Sequence, residues 1–100
     1  IPNAIKVTLP QSQKQTAAKP LTRLTIDAGL NYYVAFGNQR EVQVSYDEIT
    51  PFLQESYSKE PEMFVALYAD ETVPYKEIVK ILNIANANKF KMVLATRPQR

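Results

Sequence analysis

The sequence of 100 residues contains neither cysteine nor histidine. Their absence excludes disulfide bonds, zinc sites built from sulfur and imidazole ligands, and acid–base catalysis by histidine. Glycine occurs only twice, at Gly29 and Gly37, and both positions indicate turns rather than a phosphate-binding loop. These absences remove the commonest catalytic and metal-binding sites. A chain without cysteine fits an oxidising or a reducing compartment equally well.

Long apolar segments are also missing. No apolar run approaches the ~20 residues that cross a bilayer, and no signal peptide is visible. The chain begins at Ile1 without a methionine, so we expect it to be a piece of a longer protein. Its net charge of +2 comes from acidic and basic residues that are mixed along the sequence. Nucleic-acid binding usually requires a basic stripe, so this class of function is disfavoured.

Carboxylates are the remaining candidates for catalysis. The pairs Asp47–Glu48 and Asp70–Glu71 each stand at the start of a predicted helix. Acidic side chains there stabilise the unpaired N–H groups and the positive end of the helix dipole. The serines have no histidine to activate them. We therefore predict that the protein is not an enzyme and needs no cofactor or metal. A small hydrolase that uses Asp70 and Glu71 is the alternative from another class.

Residues 64–98 predict a strand, a helix and a second strand. The short apolar run Phe64–Ala69 is typical of a strand buried on both faces, and Phe90–Thr96 is the second strand. Between them, apolar residues at helical spacing predict a helix over Pro74–Asn88. Two parallel strands joined by one crossover helix fit this order. The residues assigned to the start of the helix are Asp70, Thr72 and Pro74.

The N-terminal part predicts strands before a first helix. Ile5–Pro10 alternates apolar and polar residues and predicts a short strand, while the polar residues 11–20 predict a flexible linker. Strands are predicted around residues 24–26, 32–36 and 42–44. Ser45 and Glu48 have the spacing of a capping box and mark the start of a helix, in which Pro51 predicts a kink.

The resulting order is (β)-β-β-(β)-α-β-α-β. It predicts an α+β domain of two layers, with two helices on one face of a mixed β-sheet. Residues 1–20 are predicted to form an N-terminal linker with the short docking strand 5–10. Residues 21–98 are predicted to form the globular domain.

An ordered set of short motifs resembles the periplasmic domain of the ExbD/TolR family. The set consists of Leu24–Asp27, Tyr33, the segment Ala69–Tyr75, Ile78–Val79 and Leu94–Pro98. The resemblance implies a dimeric accessory subunit of a proton-driven inner-membrane motor, without enzymatic activity. It also implies an ExbB/TolQ-like membrane subunit and a TonB- or TolA-like protein as partners. The family's transmembrane helix, with its proton-relevant Asp, corresponds to no position in this chain.

The resemblance leaves two functions open. One is transmission of energy to a TonB-like protein for nutrient uptake, and the other is a TolR-like subunit that contacts peptidoglycan. For either function we predict that the strand Ile5–Pro10 docks on an open sheet edge. Ile84 is predicted to point away from the buried stripe of its helix, and tyrosines such as Tyr75 suit an interface. The predicted partner or dimer interface comprises Val7, Leu9, Pro10, Tyr75, Ile84, Val93 and Leu94.

Overall fold

The structure is a computed structural model that describes residues 4–5 and 22–95. Its elements in chain order are β1 (Ala4–Ile5), β2 (Thr22–Ile26), β3 (Tyr32–Phe36), β4 (Val42–Val44), α1 (Tyr46–Lys59), β5 (Val65–Ala69), α2 (Tyr75–Asn88) and β6 (Met92–Ala95). This order and the α+β class confirm the prediction from the sequence.

The strands form one mixed sheet in the order β1-β6-β5-β2-β3-β4. The strands β6, β5 and β2 are parallel neighbours, whereas β2–β3, β3–β4 and β1–β6 are antiparallel pairs. β5 and β2 therefore lie in the middle of the sheet. β1 and β4 are the outermost strands of the described part.

The core lies between one face of the sheet and the two helices. Along β2, Leu24 and Ile26 are buried, whereas Arg23 and Thr25, which alternate with them, are only half-buried. Such alternation follows from the two-residue period of a strand, which points successive side chains to opposite faces. The other buried residues that join this core, from helices, strands and the loops between them, are Tyr32, Val34, Ile49, Leu53, Met63, Val65, Leu67, Ile78, Ile81, Ala85 and Phe90.

The two helices run side by side in the same direction. The Lys80 ammonium lies 4.8 Å from the centre of the Tyr46 ring, near the start of both helices. Gln54 Nε2 donates to Asn88 Oδ1 at 3.4 Å near their ends. Both contacts join residues that are separated by the same distance in sequence, as a parallel pair requires. The starts of α1 and α2 therefore lie at the same end of the sheet.

The start of α2 differs slightly from the prediction. Pro74 has an extended backbone (φ −63°, ψ 146°) and precedes the helix, which begins at Tyr75. At the other end the helix ends at Asn88 as predicted, and the next residue, Lys89, is left-handed (φ 60°). α1 begins after Ser45 as predicted and continues through Pro51 to Lys59.

Candidate functional site

The edge of the sheet formed by β6 offers backbone groups for strand pairing. The Val65 N–H donates to the Lys91 carbonyl at 2.8 Å, so Lys91 directs its carbonyl toward β5. Successive residues of a strand alternate between its two neighbours. Val93 therefore also bonds toward β5, whereas Met92 and Leu94 direct their N–H and C=O groups to the outer side of β6.

β1 occupies part of this outer side. It pairs antiparallel with β6, with Ala4 opposite Ala95 and Ile5 opposite Leu94. The strand 5–10 was predicted to dock here, and Ile5 is the residue of that strand that the structure describes. The remaining residues 6–10, which include the predicted interface residues Val7, Leu9 and Pro10, lie outside the described residues.

The two predicted edge residues of β6 differ in their roles. Leu94 pairs with β1 through its backbone, and its side chain packs against the core. Val93 lies opposite Ala66 on β5, and its half-buried side chain points to the face of the sheet that carries no helix. Of these two residues, Leu94 is therefore the one whose backbone can lose or gain a strand partner at this edge.

Ile84 does not point away from the buried part of the protein, so the predicted orientation of its side chain was wrong, whereas its role at an interface stays a prediction. Its side chain is half-buried and packs against the core. Lys80 and Asn88, which lie one helical turn to either side of it, both contact α1. Ile84 therefore lies on the side of α2 that faces α1, and helical spacing around a single stripe could not reveal this second contact.

Tyr75 is strongly exposed. As the first residue of α2 it keeps 79% of its surface accessible, the largest exposure among the large apolar residues described. Single exposed aromatic residues are common on protein surfaces. Tyr75 lies at the start of a helix beside a loop, where its ring is accessible to a partner. Tyr75 therefore stays a candidate contact residue.

The predicted capping residues fall into two groups. At α1 the Ser45 N–H donates to Glu48 Oε1 at 2.8 Å, which is one half of a capping box. At α2 no side chain caps the helix. Asp70 instead accepts hydrogen bonds from the N–H (3.0 Å) and the hydroxyl (2.6 Å) of Thr72. These two bonds order the loop before α2, and Pro74 continues that loop in an extended conformation up to the helix.

A second hydrogen-bonded carboxylate, Asp27, belongs to the motif set Leu24–Asp27 but was not among the predicted site residues. It accepts hydrogen bonds from the N–H groups of Gly29 and Asn31, both at 2.9 Å. It also accepts from the Asn31 amide at 3.2 Å and from the Tyr33 hydroxyl at 3.0 Å. These bonds, that from the Asn31 N–H foremost, hold the pKa of Asp27 below its ordinary value. Asp27 thereby fixes the turn between β2 and β3.

The helix-free face of the sheet carries a row of three side chains. Thr25 of β2 lies opposite Tyr33 of β3 on one side and opposite Tyr68 of β5 on the other. All three are half-buried. Two tyrosines that flank a small hydroxyl residue form a surface able to contact a sugar ring or a protein. This surface, Tyr33–Thr25–Tyr68, is called the tyrosine row below.

The comparison with protein families decides the general role. The family described as "Biopolymer transport protein ExbD/TolR" matches residues 1–99. The chain belongs to the ExbD/TolR family. No curated protein sequence matches it. ExbD/TolR proteins are accessory subunits of biopolymer transport that are anchored in the inner membrane and carry a periplasmic domain.

Two further observations concern membranes and metals. In the described part of this ExbD/TolR chain, no helix is long and apolar enough to cross a membrane. Among residues 4–5 and 22–95, no group of three or more potential ligands is placed to hold a metal ion. The features that remain for function are thus the sheet edges, the tyrosine row and the exposed Tyr75.

Proposed function

We propose that this chain is the periplasmic domain of an accessory subunit in a proton-driven motor of the inner membrane. In this role it transmits energy to a TonB-like protein for nutrient uptake across the outer membrane. Membership of the ExbD/TolR family supports a transport subunit that acts by binding rather than by catalysis. An ExbB/TolQ-like membrane subunit and a second copy of the chain are the other partners expected from the family.

The observation that carries the mechanism is the pairing of β1 with β6. Ile5 lies opposite Leu94, whose backbone groups point to the outer side of the sheet. A strand held at an edge can be exchanged for another strand, because the edge offers the same hydrogen bonds to either. We propose that release of the N-terminal strand frees the β6 edge and that a strand of the TonB-like protein takes its place.

The sequence of the proposed docking strand is suited to this exchange. Ile5, Val7 and Leu9 alternate with the polar residues Lys6 and Thr8. Side chains two residues apart in a strand lie on the same face. We therefore propose that Val7 and Leu9 contribute the affinity of strand pairing and that Lys6 and Thr8 do not.

The proposal is tested by NMR titration of the chain with the periplasmic segment of a TonB-like protein from the same cell. Chemical-shift changes confined to residues 5–10 and 90–96 are expected. Replacing both Val7 and Leu9 by serine should weaken binding or change dimerisation. The matched control replaces Lys6 and Thr8 by serine in the same strand. Strand exchange is wrong if the Val7 and Leu9 variant binds and dimerises like the parent.

A second candidate function is contact with peptidoglycan, as in a TolR-like subunit of the Tol-Pal system. The tyrosine row is the observation that favours it, because aromatic rings and hydroxyl groups on an open sheet face suit a sugar polymer. A pull-down on purified cell-wall sacculi tests it, with Tyr68→Ser as the variant and Tyr75→Ser as the control. Retention that is lost only in Tyr68→Ser would favour this candidate over uptake.

A further inference from the structure

The outermost strand at the opposite side of the sheet, β4, also directs backbone groups outward. Their direction follows from the hairpin of β2 and β3, in which the Asp27 N–H donates to the Asn31 carbonyl at 3.0 Å. Hydrogen-bonded and non-hydrogen-bonded residue pairs alternate along an antiparallel pair of strands. Because Asp27 bonds Asn31, the next hydrogen-bonded pair is Thr25 with Tyr33, and Tyr32 and Val34 therefore direct their backbone groups toward β4. Their partners on β4 are Val44 and Val42.

Gln43 and Glu41 must therefore direct their N–H and C=O groups away from β3. In the described part of the chain, no strand lies on that side of β4. Ser45, two residues after Gln43, also directs its backbone groups away from β3. These groups are already bonded, because the Ser45 N–H donates to Glu48 and the Ser45 carbonyl accepts from the Glu48 N–H at 3.0 Å. The open window for strand pairing thus comprises residues 41–43.

We propose that a second copy of the chain pairs with this window through a two-fold axis, β4 against β4. The hydrogen-bonded pairs are Glu41 with Gln43 of the second copy, and the reciprocal pair. Val42 of each copy then lies opposite Val42 of the other. In this register four backbone hydrogen bonds form, two of them donated by the Gln43 N–H groups.

The side chains of β4 complement each other in the same register. Val42 is 56% exposed, the largest exposure of a large aliphatic side chain among the residues described, and the pairing places it against an identical side chain. On the other face Glu41 lies opposite Gln43 of the second copy, so that a carboxylate faces an amide rather than a like charge. Within its own copy Glu41 Oε2 accepts a hydrogen bond from the Thr25 hydroxyl at 3.4 Å, and its second oxygen, Oε1, is the acceptor for the amide of the second copy. The amide uses one N–H for Asn31 Oδ1 at 3.4 Å and keeps a second one.

This dimer would leave the partner edge free. β4 and β6 lie on opposite sides of the sheet, so the β6 edges of the two copies lie at the two ends of one continuous sheet. Each copy could then bind its own partner strand while paired. The inference does not depend on the partner's identity, and its failure would leave partner binding at the β6 edge untouched. A Val7 and Leu9 variant that changes dimerisation but not partner binding would place the dimer contact at β6 and count against β4.

Disulfide trapping tests the proposed register. The chain has no cysteine, so a single introduced cysteine reports on one position. Opposite residues in a non-hydrogen-bonded antiparallel pair have Cα atoms about 4.5 Å apart, which is within the range of roughly 4.4–6.8 Å for disulfides. Val42→Cys in the full chain should form a disulfide dimer at least ten times faster than the exposed control Asn83→Cys on α2. Equal rates would overturn the proposal.

A backbone variant tests the hydrogen bonds themselves. Gln43→Pro removes the outward N–H and keeps the pairs that join β4 to β3, because those use Val42 and Val44. Loss of two interface hydrogen bonds should raise the dimer Kd by about tenfold or more, as measured by analytical ultracentrifugation. Gln39→Pro in the preceding turn is not a suitable control, since its N–H donates to Phe36 at 3.0 Å. An unchanged Kd in a folded Gln43→Pro protein overturns the proposal, and Val42→Cys decides it if this variant does not fold.

Discussion

Replacing Glu48 by alanine removes its hydrogen bond to Ser45, which affects both the stability of the fold and the length of the β4 edge that is open for pairing. The contact is a hydrogen bond of 2.8 Å from a backbone N–H to a carboxylate at the start of α1. Because both residues are exposed, we expect its loss to lower the free energy of unfolding by about 1 kcal/mol, as for other helix caps. In a domain of this size about 1 kcal/mol lowers the Tm by roughly 4–8 °C, which differential scanning calorimetry measures readily.

The same change should favour dimerisation through the β4 edge. With Glu48 gone, the Ser45 N–H no longer has its carboxylate acceptor and becomes available to an added strand. Ser45 has the same outward parity as Glu41 and Gln43. The window for strand pairing then becomes longer. We therefore expect Glu48→Ala to dimerise at a lower concentration than the parent, although its folded state is less stable.

Asp47→Ala is the matched control for this experiment. It removes a carboxylate from the same first turn of α1 but leaves the Ser45–Glu48 hydrogen bond in place. If Asp47→Ala lowers the Tm as much as Glu48→Ala, the effect comes from charge near the helix dipole and the reasoning about the cap is refuted. If Glu48→Ala dimerises less than the parent, the reasoning about the edge is refuted.

Three further predictions concern the core, the β2–β3 turn and the end of α2. Leu67→Ala, in a fully buried position of the central strand β5, should lower the free energy of unfolding by about 2–5 kcal/mol in urea titrations, and a loss under about 1 kcal/mol would contradict tight packing. Asp27 has a lowered pKa in the folded state, so it stabilises the fold above its unfolded pKa and loses this effect as the pH falls through its folded pKa. The difference in urea midpoint between the parent and Asp27→Asn should therefore be largest at neutral pH and vanish in acid; a difference that persists in acid would argue against the charge. Lys89→Gly should raise the Tm, because Lys89 has φ 60°, whereas Asn88→Gly in the helix should lower it. The same sign for both changes would contradict the backbone argument.

Local patterns predicted most of the fold. The alternation of buried and half-buried residues in Thr22–Ile26 follows from the two-residue period of a strand. The capping box at Ser45 and Glu48 depends on four consecutive residues, so the sequence contains all the information that it needs. The strand–helix–strand unit likewise follows from hydrophobic periodicity and from the proline before α2.

Contacts between distant elements could not be predicted in this way. Ile84 was placed on an exposed side because helical spacing describes one stripe, whereas α2 packs against both the sheet and α1. The start of α2 was predicted one residue early, since Pro74 has a φ that suits a helix and a ψ of 146° that does not. A proline fixes only φ, and its ψ depends on the loop that precedes the helix.

The availability of the β4 edge has a cause that no pattern within β4 reveals. Val42, Gln43 and Val44 alternate in the same way whichever of them bonds outward. Which residues of β4 bond outward is determined at the β2–β3 turn, where Asp27 binds Gly29 and Asn31 and so fixes the length of the hairpin loop. A loop longer by one residue would shift the register, exchange the faces of β3 and turn the Gln43 N–H toward β3. The partner surface of β4 is therefore set by a carboxylate in the turn between two other strands.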